Sequence, residues 1–420
     1  MRFAFTSHRS LLIASALLLA SPALVGCSGS DVGSGDDNIT DVPHTPVERQ
    51  SIGNCWLYAQ ATWVESMHLT ATGDEFDTSQ SYWTYWHWFD QVLGGFSDEI
   101  STGGNQWTAN DIIQQRGLMI EADFVSEDTT SEMSDRQKTA LDTMNRELKD
   151  GRLADSSDRE NAKLVREVMD EAWKLTPEVK DQLDRVFGED ASKTLSNGAS
   201  VDGTSILSPD DFKVAYTERQ TNPDEATLKE TTLSTAIEEW ETASYPSSES
   251  SRRSLLIRVQ KALHDRQPVM VTWDVDFNAM ESRDNELKGS FNLTTLADAG
   301  GPGRQGGHMT VFEDYQAETE EFGLLKAGET LDPENPDDQA KLEAALLPST
   351  KIVFMRIKNS WGGFRDDRAS APGFPGYHDL YLDYLNGPIK WCPDVEGTKT
   401  SSNCTGKSNP LDNVLLPPGY

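Results

Sequence analysis

Three residues of the chain have the types that a thiol-based reaction needs. Cys55 is one of only four cysteines among 420 residues, and it follows a Gly-Asn pair in QSIGNCWLYA. His308 is one of seven histidines and stands in GGHMTVF, where a glycine-rich loop leads into an apolar run. Asn359 stands in KNSWG. A nucleophilic thiol needs a base to take its proton, imidazole suits that task near neutral pH, and an amide can orient the imidazole.

Each of these residues also has a simpler interpretation. Cys55 could be a packing residue, half of a disulfide or a metal ligand. A single histidine at the start of an apolar strand is often a packed core residue, and NSWG alone is an ordinary strand-to-turn sequence. The sequence contains neither CxxC nor HExxH, which leaves a zinc site poorly supported. The three residues together therefore indicate thiol catalysis more strongly than any one of them alone.

The stretch CWLYAQATWVESM, from Cys55 to Met67, predicts a helix that begins at the cysteine. Apolar and aromatic residues recur there at helical spacing without Gly or Pro. Because a helix start favours a thiolate, we expect this position to lower the pKa of Cys55. A second helix is predicted over 76–93, and the stretch 101–118 predicts a Gly-rich turn, a third short helix and a stop at Gly117. The aromatic residues of 76–93, with His87 among them, could form a binding platform, but their spacing favours core packing.

The back half of the chain predicts the strands that position His308 and Asn359. A helix over SLLIRVQKALHDRQ precedes predicted strands at 268–276, 306–316, 351–362 and 376–387. A helical front half before a sheet-rich back half predicts an α+β fold of two lobes. Between them, residues 125–250 are acidic and mostly helical in pattern. We interpret this segment as a solvated insertion, with partner binding as the alternative.

The motifs in their order resemble the papain superfamily of cysteine peptidases. They are Gly53-Asn54-Cys55-Trp56, then Gly307-His308, then Asn359-Ser360-Trp361-Gly362. The resemblance implies a papain-like two-lobe fold, in which a helical lobe carries the nucleophile and an antiparallel β lobe carries the His and Asn. It implies a peptide or protein substrate and no cofactor or metal.

The resemblance also implies a role for each residue. Cys55 is the expected nucleophile, His308 the general acid and base, and Asn359 the residue that orients the imidazole. Gln50 takes the place of the family's oxyanion glutamine, although it precedes the cysteine by five residues where six are usual. Trp361 could shield the bond between the imidazole and the amide from water. Two other functions stay open: a catalytically silent binding module, and transglutaminase-like acyl transfer, which usually has Asp in place of Asn359.

Within the superfamily, three segments resemble the bleomycin hydrolase and aminopeptidase C branch. They are FDTSQSYWTYW, GGNQWTANDIIQQRGL and PVMVTWDVD. This resemblance covers about 47–125 and 251–390. The acidic segment 317–350 lengthens the distance between His308 and Asn359 along the chain. The cytosolic hexamer and the aminopeptidase restriction of that branch are not expected here.

The N-terminus predicts export. Basic residues precede the apolar run LLIASALLL, and Leu24-Val25-Gly26-Cys27 resembles a bacterial lipobox, in which the cysteine is acylated. The alternative is ordinary signal cleavage beside an incidental cysteine. A segment rich in Gly, Ser and Asp follows, typical of a flexible tether. The predicted protein is exported and lipid-anchored to the bacterial cell envelope, and contacts the membrane only through this anchor.

The net charge bears on the binding partners of the protein, and the cysteines bear on its disulfide bonds. The formal net charge of −32 makes nucleic acid an unlikely partner, because both are anionic. In an exported protein, Cys392 and Cys404 most simply form a disulfide, with two free thiols or a pairing with Cys55 as alternatives.

The sequence therefore divides into six segments. They are a signal peptide (1–26), a tether (27–46), a helical lobe (47–124), the insertion (125–250), a β-rich lobe (251–395) and a tail (396–420).

Overall fold

A computed structural model describes ten ranges of the chain: 42–95, 98–128, 131–195, 200–221, 224–280, 289–329, 331–332, 335–363, 375–392 and 404–420. The predicted signal peptide and the lipid-anchor residue Cys27 lie outside these residues. Within them, every helix is too short or too polar to cross a membrane.

The helices of the front lobe begin and end at residues that stabilise helix ends. Helix α1 begins at Cys55, and Gly73 closes it in the left-handed region with φ 76°. Ser79 caps α2 by accepting a hydrogen bond from the Tyr82 N–H at 2.9 Å. The helices are α1 Cys55–Thr72, α2 Gln80–Gly94, α3 Gln106–Arg116, α4 Glu121–Phe124, α5 Asp135–Asp150, α6 Ser156–Arg159, α7 Ala162–Ala172, α8 Pro177–Phe187, α9 Leu233–Glu239, α10 Glu249–His264, α11 Leu293–Asp298, α12 Pro336–Ala345 and α13 Leu382–Asn386.

One large sheet forms the back lobe, with the strand order β3-β12-β4-β6-β8-β9-β5 and β7 paired to β6. Its pairs are antiparallel except for β5 with β9, so the predicted antiparallel lobe contains one parallel pair. The strands are β1 Lys213–Thr221, β2 Asp224–Thr232, β3 Glu241–Ser244, β4 Val269–Asp276, β5 Ser290–Phe291, β6 Gln305–Thr319, β7 Gly323–Leu325, β8 Lys351–Lys358, β9 Tyr377–Tyr381, β10 Ile389–Trp391, β11 Thr405–Ser408 and β12 Leu411–Leu416.

The α+β class predicted from the sequence is confirmed. Helix α1 carries Cys55, strand β6 carries His308, and Asn359 directly follows strand β8. The strand predicted over 351–362 stops at Lys358, because the chain then pairs with a different segment. The Gln50 N–H donates to the Ser360 carbonyl at 2.9 Å, and the Gly362 N–H donates to the Glu48 carbonyl at 3.1 Å.

The segment between the lobes is built into the helical core. Apolar side chains of α5, α7 and α8 share one hydrophobic cluster with those of α1 and α2, among them Met144, Val168, Leu183 and Phe187. The segment also contains the β1–β2 hairpin, which the helical sequence pattern did not indicate. Within this segment, α7 packs against α2 and strand β1 packs against α1, so the segment forms part of the helical lobe.

Both ends of the described chain are also packed into the fold. Residues 42–46, at the end of the segment predicted to be a tether, contribute the buried Val42 to the core of the sheet lobe. In the predicted tail, β12 lies between β3 and β4 in the large sheet. The terminal Tyr420 donates its hydroxyl hydrogen bond to Asp265 at 2.6 Å.

Candidate active site

A turn anchored by the buried Asn54 fixes the start of the helix that carries Cys55. The Asn54 side chain does not cap α1 but donates to Thr84 Oγ1 at 3.1 Å and to Gln137 Oε1 at 2.9 Å, which anchors the turn to α2 and α5. Gly53 is required by close approach, because a Cβ there would lie 2.6 Å from Thr102 Oγ1. The sequence therefore places the cysteine on a rigid element rather than on a loop.

The Cys55 sulfur is more deeply buried than its position at a helix start suggested. The residue is 9% exposed, and burial raises the pKa of its thiol to about 11. Hydrogen bonds from the backbone N–H groups of Met309, Trp56 and Cys55 itself oppose this shift without cancelling it. The expectation of a lowered pKa was therefore wrong, because the loss of water outweighs the backbone hydrogen bonds that favour the thiolate.

The contact with Met309 brings the thiol to the strand that carries His308. Met309 directly follows His308 on β6, and α1 packs against this strand. His308 lies opposite Trp273 of β4 in the antiparallel register. Helix α1 of the front lobe therefore packs on the strand that carries the imidazole, with the Cys55 thiol next to the residue that follows His308.

His308 is bound to Asn359. Its Nε2 lies 2.8 Å from Asn359 Oδ1, and both residues are buried. The Trp361 ring stacks on the imidazole with 4.9 Å between centroids and 19° between planes. Trp273 contacts the same imidazole edge-on at 5.5 Å. The bond between imidazole and amide is therefore enclosed by aromatic rings, as the sequence position of Trp361 suggested.

Gln50 lies next to the residue that follows Asn359, and its side chain is already engaged. Its Nε2 donates to the Ile52 carbonyl at 2.6 Å, and its Oε1 accepts from Ser360 Oγ at 2.6 Å. An amide nitrogen carries two hydrogens. One of them is used in the bond to the Ile52 carbonyl.

Trp56, which directly follows Cys55, is buried and packs against Gly104 of the glycine pair Gly103-Gly104. Trp56 donates through its indole N–H to the Thr102 carbonyl at 3.0 Å. A Cβ on Gly104 would lie 2.4 Å from the Trp56 ring, so the backbone must pass directly over this ring. His87 contacts Trp56 edge-on at 4.9 Å. The other aromatic residues of α2 are core residues, as their spacing predicted: Tyr82, Trp83, Tyr85, Trp86, Trp88 and Phe89.

His378 is a residue next to Asn359 that the sequence pattern did not indicate. It lies on β9, is buried, and has its Nδ1 3.3 Å from Asn359 Nδ2. It lies within the strand predicted over 376–387, but the sequence did not indicate it as a site residue. The period-two alternation in YHDLY could have found it, since it puts His378 and Leu380 on one face of the strand.

Cys392 and Cys404 are joined by a disulfide 12 residues apart in sequence, and Cys55 is a free thiol. The Cys392 N–H donates to Gln305 Oε1 at 2.7 Å, so the disulfide is attached to the first residue of β6. In the ranges that the structure describes, no group of three or more His, Cys, Asp or Glu side chains is arranged to hold a metal ion.

Comparison with known proteins gave structural similarities only. No protein-family model and no curated protein matches the chain. Among solved structures, the chain is similar to xylellain, a cysteine protease from Xylella fastidiosa, at 14% identity and a TM-score of 0.35, covering 91% of this chain and 85% of that one. It is also similar to the bromelain protease from Ananas comosus in complex with the E64 inhibitor, at 13% identity and a TM-score of 0.29, covering 89% of this chain and 94% of that one.

Proposed function

We propose that this protein is a papain-like cysteine peptidase that cleaves peptide bonds through a thioester on Cys55. One observation carries the proposal: a thiol at the start of a buried helix lies against the strand of an imidazole whose Nε2 is 2.8 Å from Asn359 Oδ1. With Nε2 turned toward the amide, His308 Nδ1 is the nitrogen that exchanges a proton with the sulfur. This is the arrangement of a nucleophile, a base and an orienting group.

In the proposed reaction, the Cys55 sulfur attacks the carbonyl carbon of the substrate while its proton moves to His308. Because burial raises the pKa of the thiol to about 11, we expect the sulfur to keep its proton until substrate binds. The backbone N–H groups of Met309 and Trp56 then stabilise the developing thiolate. His308 gives the same proton to the departing amine, which leaves an acyl group on sulfur.

The second half of the reaction regenerates the thiol. His308 takes a proton from water, the resulting hydroxide equivalent attacks the thioester carbon, and the acid product leaves as the sulfur regains its proton. In both halves the negative oxygen is met by the Cys55 N–H and by the remaining Gln50 amide hydrogen. Each such donor typically lowers the barrier by roughly 3 kcal/mol.

The proposal also covers the branch of the superfamily to which the protein is related and its cellular location. The three segments that resemble bleomycin hydrolase support placing the protein near that branch, without its oligomeric state or its substrate restriction. The lipobox at Leu24–Cys27 supports export and acylation of Cys27. The disulfide between Cys392 and Cys404 supports an oxidising compartment outside the cytoplasm.

Hydrolysis of a diverse peptide mixture, followed by mass spectrometry, tests the proposal. The reduced wild-type protein is expected to produce new peptide termini, and Cys55→Ser is expected to produce none. Asn359→Asp tests the acyl-transfer alternative, because an acyl transferase of this geometry is expected to retain activity with Asp and to yield amide-linked adducts. A folded wild-type protein that produces neither new termini nor adducts would contradict the proposal and favour the silent binding module.

A further inference from the structure

The orientation of the Asn359 side chain is fixed by a backbone group. The Ser360 N–H donates to Asn359 Oδ1 at 2.8 Å. A backbone N–H can only donate, so the atom that faces it must be the amide oxygen rather than the amide nitrogen. The same oxygen faces His308 Nε2, which must therefore carry a hydrogen.

The amide nitrogen of Asn359 then faces His378. Asn359 Nδ2 lies 3.3 Å from His378 Nδ1, and an amide nitrogen can only donate. His378 Nδ1 must therefore accept, which puts the proton of the neutral ring on Nε2. Asn359 thus joins two imidazoles through opposite ends of one amide.

The His378 ring is held in place by packing. It lies edge-on to Trp361 with 5.3 Å between centroids, and it is tilted against Phe291 at 6.1 Å. Trp361 is also the ring that stacks on His308. A single tryptophan therefore holds both imidazoles while the amide of Asn359 lies between them.

We propose that His378 is a positioning residue for the Cys55–His308 pair. It accepts from Asn359 Nδ2 and so stabilises the amide orientation that turns Oδ1 toward His308. This orientation keeps the His308 proton on Nε2 and leaves Nδ1 for the thiol proton. The inference rests on the proposed function only for its effect on catalysis; the predicted tautomers do not depend on it.

Two variants of similar shape distinguish the loss of the hydrogen-bond acceptor at His378 from the loss of its ring packing. Asparagine carries an oxygen at the position that Nδ1 has in histidine, and leucine has nearly the shape of asparagine without an acceptor. We expect His378→Leu to slow epoxide labelling of Cys55 by about threefold to tenfold, which corresponds to one hydrogen bond. His378→Asn should label at nearly the wild-type rate. Equal rates in the two variants would overturn the proposal.

Histidine side-chain nitrogen NMR of the unliganded wild-type protein tests the same inference without any activity. Both His308 and His378 are expected to carry their proton on Nε2, with assignments from single histidine variants. A proton on His378 Nδ1 would overturn the proposal, even in an active peptidase. If the protein fails to label at all, the proposed function fails, and the spectrum still decides whether His378 orients Asn359. It also decides the question if His378→Leu does not fold.

Discussion

At the residue scale, the candidate site consists of polar groups whose orientations are set by backbone atoms. The Ser360 N–H selects the amide orientation of Asn359, which selects the tautomer of His308. Backbone hydrogen bonds from Met309, Trp56 and Cys55 itself lower the pKa of the Cys55 thiol against the effect of burial. Since backbone positions change little when a substrate binds, such a site is arranged before the reaction begins.

Gln50 is the residue whose role is most open to a direct test. We expect Gln50→Ala to lower kcat by roughly 10²-fold to 10³-fold, as loss of an oxyanion donor does. Ser360→Ala removes the hydroxyl that binds Gln50 Oε1 but keeps the amide hydrogens, so a smaller loss is expected. Steady-state kinetics on one peptide substrate compare the two variants. Equal losses would mean that Gln50 acts through its contact with Ser360 and not as an oxyanion donor.

At the element scale, the junction between α1 and the sheet contains a buried charged network. Lys358, the last residue of β8, donates through Nζ to the Thr45 carbonyl at 2.7 Å and to Thr62 Oγ1 at 3.2 Å. Burial raises the pKa of Glu65, which also binds Thr45, to about 7. These buried polar contacts attach the segment around Thr45 to α1.

Glu121, at the start of α4, predicts how stability depends on pH. Burial raises the pKa of its carboxyl from 4.5 to about 8, and the unfolded chain releases this proton near 4.5. The folded protein therefore binds more protons between these values, so its stability falls as pH rises from about 4.5 to about 8. We expect Glu121→Gln to be more stable than wild type at pH 9 by an amount on the order of a few kcal/mol, and nearly equal to it at pH 4.5.

Urea denaturation at both pH values measures this difference. Glu178→Gln, which changes an exposed carboxyl on α8, is the matched control and should show little change at either pH. A Glu121→Gln variant whose advantage over wild type is the same at pH 4.5 and pH 9 would show that Glu121 is not held protonated in the folded protein.

The disulfide offers a second test at this scale. It closes a segment of 12 residues and is attached to the first residue of β6 through Gln305. Removing it by the double change Cys392→Ser and Cys404→Ser should lower the free energy of unfolding by roughly 3 kcal/mol. Reduction of the wild-type protein should give the same loss, because Cys55 is already a free thiol. No difference between oxidised and reduced protein in urea would contradict this expectation.

At the scale of the whole molecule, local patterns predicted the elements that carry the site. The helix that begins at Cys55 and the strands that bring His308 and Asn359 follow from apolar periodicity and from glycine positions. Three features did not follow from it: the position of β12 between β3 and β4, the contact of His378 with Asn359, and the high pKa of the Cys55 thiol. Strand pairing and burial depend on residues far apart in the chain, which local periodicity does not report.

The central claim is that Cys55 and His308 act as one reactive pair. Its most direct test is labelling of the reduced protein with an epoxide that attacks papain-like thiols, followed by peptide mapping. We predict a single adduct on Cys55, formed about 10²-fold or more slowly in His308→Ala, and at the wild-type rate in His68→Ala, a control at the far end of the same helix. Absence of an adduct in the folded protein, or equal rates in wild type and His308→Ala, would contradict the account.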